Sequence, residues 1–178
     1  HALHRGSQIL VAVEQRLVRP PSRSEQTLEL RREEEALLRR AALAAVLPAH
    51  ALLWQGEDTV PYECDGLTAY RQLPLAVALP ETEAQVAAVL KACHALQVPV
   101  VARGAGTGLS GGAMPHALGV TLGLAKFNKI IKLDKASRTA VVQCGVRNLA
   151  ISEAAAPLGL YYAPDPSSQI ACTIGGNV

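Results

Sequence analysis

Five of the ten residues from Arg103 to Gly112 are glycine, in the run Arg-Gly-Ala-Gly-Thr-Gly-Leu-Ser-Gly-Gly. No other stretch limits the fold so strongly. Helices and paired strands hold so much glycine poorly, because glycine gives up more backbone freedom on ordering than any other residue. What such a stretch forms well is a loop that takes positive φ and lets its backbone approach a ligand closely. Its successive N–H groups can turn inward as a concavity for an anion. Arg103 is expected to add a fixed positive fork beside it, suited to phosphate oxygens. Charge-assisted hydrogen bonds contribute about 1.5–3 kcal/mol each, so a few of them would hold a diphosphate before any ring is buried.

The residues ahead of the run say where the loop sits. Val98, Val100 and Val101 are β-branched and read as a buried strand feeding straight into it. Leu75–Leu79, closed by Pro80, reads as another strand. Between them Thr82 and Gln85 spell a capping box, and Val86, Val89, Leu90, Cys93 and Leu96 recur as one apolar helical stripe. His94 falls off that stripe and reads as a surface residue. Residues 75–102 are therefore expected to form a strand–helix–strand unit with a right-handed crossover. The loop then leaves the carboxyl end of the second strand, where open α/β sheets bind ligands.

Three motifs share the loop's letters. Gly106-x-Gly108-x-x-Gly111 fits the dinucleotide fingerprint, which needs a helix to start in the loop and an acid about 20 residues on. Gly111-Gly112 and Pro115 interrupt any helix there, and residues 116–133 hold no Asp or Glu, so a Rossmann reading fails. No Gly-Lys-Ser/Thr follows, so it is not a P-loop. Gly108-x-Ser110-x-Gly112 fits the nucleophile elbow of hydrolases, which also needs a following helix. A small serine hydrolase using Ser110, with His94 or His116 as base, stays an alternative, as does a non-catalytic nucleotide-binding module.

After the loop, residues 119–123 read as a strand. Residues 130–134 and 139–143 read as a hairpin about the polar turn 135–138. Asn148 reads as the cap of a helix that Gly159 ends. Pro164 and Pro166 flank Asp165 and impose a rigid extended turn. Gly175-Gly176-Asn177 is a second place where backbone can approach a ligand.

Upstream, Ser22 and Glu25 form a capping box for a helix over 23–47 that Pro48 stops, with Glu33–Glu35 and four nearby arginines as a solvated, ion-paired face. Residues 1–21 end in a Pro20-Pro21 linker, and Ile9–Val13 is too short for a signal-peptide core. Leu52–Trp54 is a short strand. The four carboxylates at 57, 58, 63 and 65 lack the calcium-loop spacing and read as a solvated turn.

Composition excludes several classes. With 49% hydrophobic and 18% charged residues, the 178-residue chain is globular. A net charge of +2 and six aromatic residues suit neither polyanion binding nor base stacking, so no nucleic acid is expected. No apolar run reaches a membrane span. Cys64, Cys93, Cys144 and Cys172 are widely spaced, so they read as reduced, largely buried thiols rather than a zinc site or redox pair.

Three stretches resemble a known family: Leu79-Pro80, Val98–Gly112, and Thr173-Ile-Gly-Gly-Asn177 are similar to the FAD-linked oxidases with a PCMH-type (vanillyl-alcohol-oxidase-type) flavin domain. Pro61–Arg71 and Tyr161–Cys172 narrow the resemblance to the branch holding the FAD-linked D subunits of bacterial glycolate oxidases and the D-lactate dehydrogenases. The resemblance runs from about residue 57 to the end and implies an α+β flavin domain over 51–178; it does not cover the first 50 residues, which are expected from their own helix signals to be a helical extension over 1–50. It implies FAD, with the diphosphate on Arg103, Gly104, Ala105, Gly106, Thr107, Gly108, Leu109, Ser110, Gly111 and Gly112. Pro164, Asp165 and Ser167 would line the flavin side, and Thr173, Gly175, Gly176 and Asn177 would follow the ribityl and diphosphate portion.

The implied reaction is oxidation of a small 2-hydroxy acid, with electrons passed to a further acceptor. It would run within a cytoplasmic complex of glycolate-oxidase type, with other subunits holding it peripherally at the inner membrane. The chain stops without a cap or tail, so truncation inside the flavin domain is expected. Substrate- and metal-binding residues would lie beyond Val178, no catalytic or metal residue is assigned, and the chain alone is expected to be inactive and to bind FAD weakly.

Overall fold

The structure is a computed structural model and describes residues 21–178. The linker and the Ile9–Val13 run fall wholly or mostly outside the described residues. Helix α1 (Arg23–Ala44) opens as its capping box requires: Ser22 Oγ accepts from Glu25 N–H, and the Glu25 carboxylate accepts from Ser22 N–H at 2.6 Å. Its amino-terminal two thirds are exposed, with Leu28, Leu30, Leu37 and Leu38 all facing solvent, while Leu43 and Leu47 are buried. A 3₁₀ turn (Ala49–Ala51) leads into β1 (Leu52–Leu53). The expected acidic turn is instead a helical turn, α2 (Gly56–Thr59), followed by a 3₁₀ turn over Val60–Tyr62.

β2 (Ala76–Ala78), α3 (Glu83–Ala95) and β3 (Val100–Arg103) form the expected strand–helix–strand unit. Gln85 N–H donates to Thr82 Oγ1 at 3.2 Å, but the Gln85 side chain accepts from Glu81 N–H, one residue ahead of the cap position. The apolar stripe is narrower than its spacing predicts: Val89 and Cys93 are buried, whereas Leu90 and Leu96 are exposed.

The unit's two strands are not neighbours. β4 (Val120–Gly123) inserts between them, parallel to both, and β1 adds antiparallel at the far edge, so the order is β1-β2-β4-β3. Burial explains the order. Every residue of β4 is buried, and a strand apolar on both faces belongs at the centre of a parallel sheet. Ala76, Ala78, Val120, Leu122 and Val100 share the face that packs with Leu43, Leu47, Val89 and Cys93 as the main core. Val77, Thr121, Val101 and Arg103 alternate onto the opposite face.

The hairpin β5 (Ile130–Asp134) and β6 (Thr139–Val142) is a separate two-stranded sheet with a register shift between Ile130 and Lys132. Asp134 Oδ1 closes its turn by accepting from Ala136 and Ser137 N–H. α4 (Asn148–Ala155) follows, and Gly159, at φ 72°, ends the 3₁₀ turn appended to it. The cap position is Arg147, not Asn148, whose side chain is fully buried and turned elsewhere. One turn of helix, α5 (Ile174–Asn177), completes the chain.

Candidate functional site

β3 ends on Arg103, and the chain then runs without regular structure until β4. Two of the loop's glycines require positive φ, Gly106 at 71° and Gly111 at 76°. From Gly104 to Gly112 no backbone N–H donates to a protein acceptor among the described residues; the first that does is Ala113, then Met114. These amides have a definite direction. A methyl group on Gly66 would come within 2.8 Å of the carbonyl oxygens of both Thr107 and Gly108, so those carbonyls face Gly66. In a trans peptide the N–H points opposite to the C=O, so the N–H groups of Gly108 and Leu109 point away from that backing segment.

The loop forms one wall of a cleft of about 450 Å³. Gly104, Ala105, Gly106, Thr107, Gly108, Ser110 and Gly112 line it on that side, and Thr173, Gly176 and Asn177 line it on the other. The structure therefore brings together the two glycine-rich segments, some sixty residues apart. They touch directly: a methyl group on Gly104 would reach 2.1 Å from Thr173 Oγ1. Ser168 and Cys172 also line the cleft, and neither stood out in the sequence.

Other predicted residues lie off this wall. Leu109 is 72% exposed. Gly111 packs toward Met114 and Leu67. Pro164, Asp165 and Ser167 are exposed on the segment leading to Ser168. Gly175 donates to the Cys144 carbonyl and packs on Cys144 Cβ, at the end of the hairpin.

Arg103 differs most from expectation. As the last residue of β3, it alternates onto the sheet face away from α3 and is 9% exposed. Its Nη1 donates to the Cys64 carbonyl at 2.8 Å, and its guanidinium lies over the Tyr62 ring, 5.6 Å from the centroid. Gly106 lies against it: a methyl group there would come within 2.3 Å of Nη2. The charge stands behind the loop, and among the described residues no Lys, Arg or His lines the cleft. Its donors are neutral amides, hydroxyls and the Asn177 carboxamide.

The second wall is held by Asn148, whose Nδ2 donates to the Pro164 carbonyl at 2.9 Å and whose Oδ1 accepts from Asn177. A neighbouring hollow of about 460 Å³, lined in part by Asn128, Gly145 and Arg147, shares Ala105 and Thr173 with the cleft. A ligand longer than a diphosphate thus has space on both sides of Thr173. A third hollow, of about 410 Å³, lies between the hairpin and α4 and is mainly apolar.

No hydrogen bond links Ser110 to a histidine among the described residues, and His116 Nδ1 is taken by Leu118 N–H at 3.1 Å. Among the described residues no group of three or more His, Cys, Asp or Glu could hold a metal ion, and the four cysteines are free thiols. No described helix is long and apolar enough to cross a membrane.

A cleft of unbonded main-chain amides at the carboxyl end of a parallel strand has the chemistry to suit a phosphate-bearing ligand. The chain belongs to the FAD binding domain family, whose profile matches residues 74–178. It is 60% identical over 137 residues to the glycolate oxidase subunit GlcD of Escherichia coli strain K12, covering 77% of this chain and 28% of that protein. It is 44% identical over 94 residues to a D-lactate dehydrogenase of Anaerostipes hadrus, covering 53% of this chain and 20% of that one. A solved alkyldihydroxyacetonephosphate synthase superposes with a TM-score of 0.68 at 19% identity, over 78% of this chain and 28% of that one, which shows a shared fold. The chain spans less than a third of these proteins' length. The α+β flavin-domain fold that the motifs imply is borne out.

Proposed function

We propose that the protein containing this chain oxidises a small 2-hydroxy acid, glycolate or D-lactate, to the 2-oxo acid with FAD as hydride acceptor. Residues 51–178 are the part of its flavin domain that receives the diphosphate, and the described residues ahead of it, 21–50, are a helical extension. One observation carries the reading: nine consecutive N–H groups, Gly104 to Gly112, are without acceptors among the described residues beside a cleft. The loop is half-buried to exposed, so these amides are open to water or to a ligand, and a row of them beside a cleft suits an anion.

The residues present fit the cofactor. The amides supply neutral donors for the diphosphate, and the hydroxyls of Thr107, Ser110, Ser168 and Thr173 add more. The two hollows flanking Thr173 leave room for the two halves of a dinucleotide. Pro164, Asp165 and Ser167 lead into the cleft from the flavin side. Bound FAD supplies the hydride-accepting ring, and the chain supplies position and field. Arg103 contributes to that field from behind Gly106 rather than by contact.

The 60% identity to a glycolate oxidase subunit supports assembly with other subunits; the reading adds an onward electron acceptor, a cytoplasmic location and peripheral attachment to the inner membrane through those subunits. The test is equilibrium titration of the full-length protein, stripped of flavin, with FAD, followed by turnover of glycolate and D-lactate with an artificial electron acceptor. Flavin fluorescence that changes saturably on mixing, and turnover of either acid, are expected. Absence of saturable FAD binding overturns the reading.

A further inference from the structure

We propose that Asp65 is a positioning residue for the glycine loop: together with Arg103 it pins both ends of the loop to one short segment, Tyr62–Leu67, so that the amides between stay unbonded and in place. At the leading end, Arg103 fastens to the Cys64 carbonyl and the Tyr62 ring. At the trailing end, Asp65 Oδ2 accepts from Ala113 N–H at 3.4 Å, a long bond, while Oδ1 accepts from Leu67 N–H at 2.9 Å. Between the two pins, Gly66 lies against the carbonyls of Thr107 and Gly108, and Leu67 lies beside Gly111. The backing segment thus follows the loop along its whole length on the side away from the cleft.

The chemistry explains why an acid sits there. Asp65 is 4% exposed, and no metal cluster exists among the described residues, so its place in an acidic stretch does not mark a cation site. It faces two N–H donors, one on each oxygen. Only a carboxylate offers acceptors alone on both sides; an amide of the same shape would set an NH₂ against one of the donors. A half-glycine loop without internal hydrogen bonds has many conformations open to it, and fixing it before the ligand arrives moves that ordering cost out of the binding step.

The inference rests on the flavin reading for the ligand's identity, but not for the pinning. The test compares the parent chain with Asp65→Asn, both ¹⁵N-labelled, by backbone relaxation without ligand and then by FAD titration. In the parent, amides 104–112 should show order parameters near the rigid value of about 0.85; in D65N those amides should fall toward about 0.6, while β2 and β4 keep theirs. FAD affinity should weaken by about tenfold or more. Arg103→Lys should loosen the leading end, Gly104–Thr107, first. Unchanged loop order in D65N overturns the proposal, and so does a loss of order throughout the domain, which would make Asp65 a general structural residue. If the full-length protein does not bind FAD, the flavin reading fails, and the relaxation comparison still decides the pinning.

Discussion

Asn177 Nδ2 donates to Asn148 Oδ1 at 3.1 Å, joining residues 29 apart in sequence. That bond ties the start of α4 to the cleft's second wall, and Asn148 Nδ2 holds the Pro164 carbonyl at the same time. Asn148 is completely buried. Asn148→Ala should therefore remove two hydrogen bonds from a buried side chain and cost about 2 kcal/mol, at about 1 kcal/mol each, lowering the thermal midpoint by about 4–8 °C. Asn148→Ser, a good helix cap, should not restore the loss, because the cap position is Arg147. Thermal denaturation of both variants checks this.

Two glycines of the loop should respond in opposite ways. Gly106 sits at positive φ, and a methyl group there would meet Arg103 Nη2 at 2.3 Å, so Gly106→Ala should cost about 1–3 kcal/mol of stability as well as FAD binding. A methyl group on Gly108 meets no protein atom within 4 Å. Gly108→Ala should keep the parent's thermal midpoint yet weaken FAD binding, because only the ligand occupies that space. Calorimetry beside FAD titration separates the two.

Thr121 Oγ1 is buried in the central strand without a hydrogen-bond partner among the described residues. A buried hydroxyl left unpaired costs about 1–3 kcal/mol, and valine has nearly the same shape. Thr121→Val should raise the midpoint by about 2–4 °C per kcal/mol regained. An unchanged or lower midpoint would show that the hydroxyl finds a partner in solution.

Glu81 joins two distant segments, accepting from Lys126 Nζ at 2.6 Å with His50 Nε2 at 3.3 Å. The Lys126 hydrogen bond, then that of His50, hold its carboxyl below the ordinary value of 4.5. A carboxyl lowered on folding adds stability above its unfolded pKa, and that stability fades as pH falls through the folded value. The pair is exposed, so the effect is small. Lys126→Ala should move the Glu81 carbon-13 titration upward toward 4.5, and the two proteins should converge in stability once the pH drops below the folded pKa.

What could be read from sequence was local. The Ser22–Glu25 box, the Gly159 stop, the hairpin and the strand-to-loop junction at Arg103 each depend on residues a few positions apart, and they stand as read. What could not be read depends on pairing across the chain. The strand at 120–123 enters between β2 and β3 because it is buried on both faces, a property of the assembled sheet. Arg103 looked like a loop residue; strand alternation carries its side chain behind the loop instead. Asp65 looked solvated because its partner, Ala113, lies 48 residues away, and nothing near Asp65 announces it. Leu90 keeps helical spacing with Val86 and Val89, yet no element covers it.

The most direct measurement of the central claim is an amide-resolved NMR titration of the ¹⁵N-labelled chain with FAD. The N–H resonances of Gly104 to Gly112 should shift first and furthest, with those of Thr173 to Asn177 following at the same ligand ratio. Saturable FAD binding that leaves resonances 104–112 unmoved, with shifts gathered elsewhere, would contradict that claim.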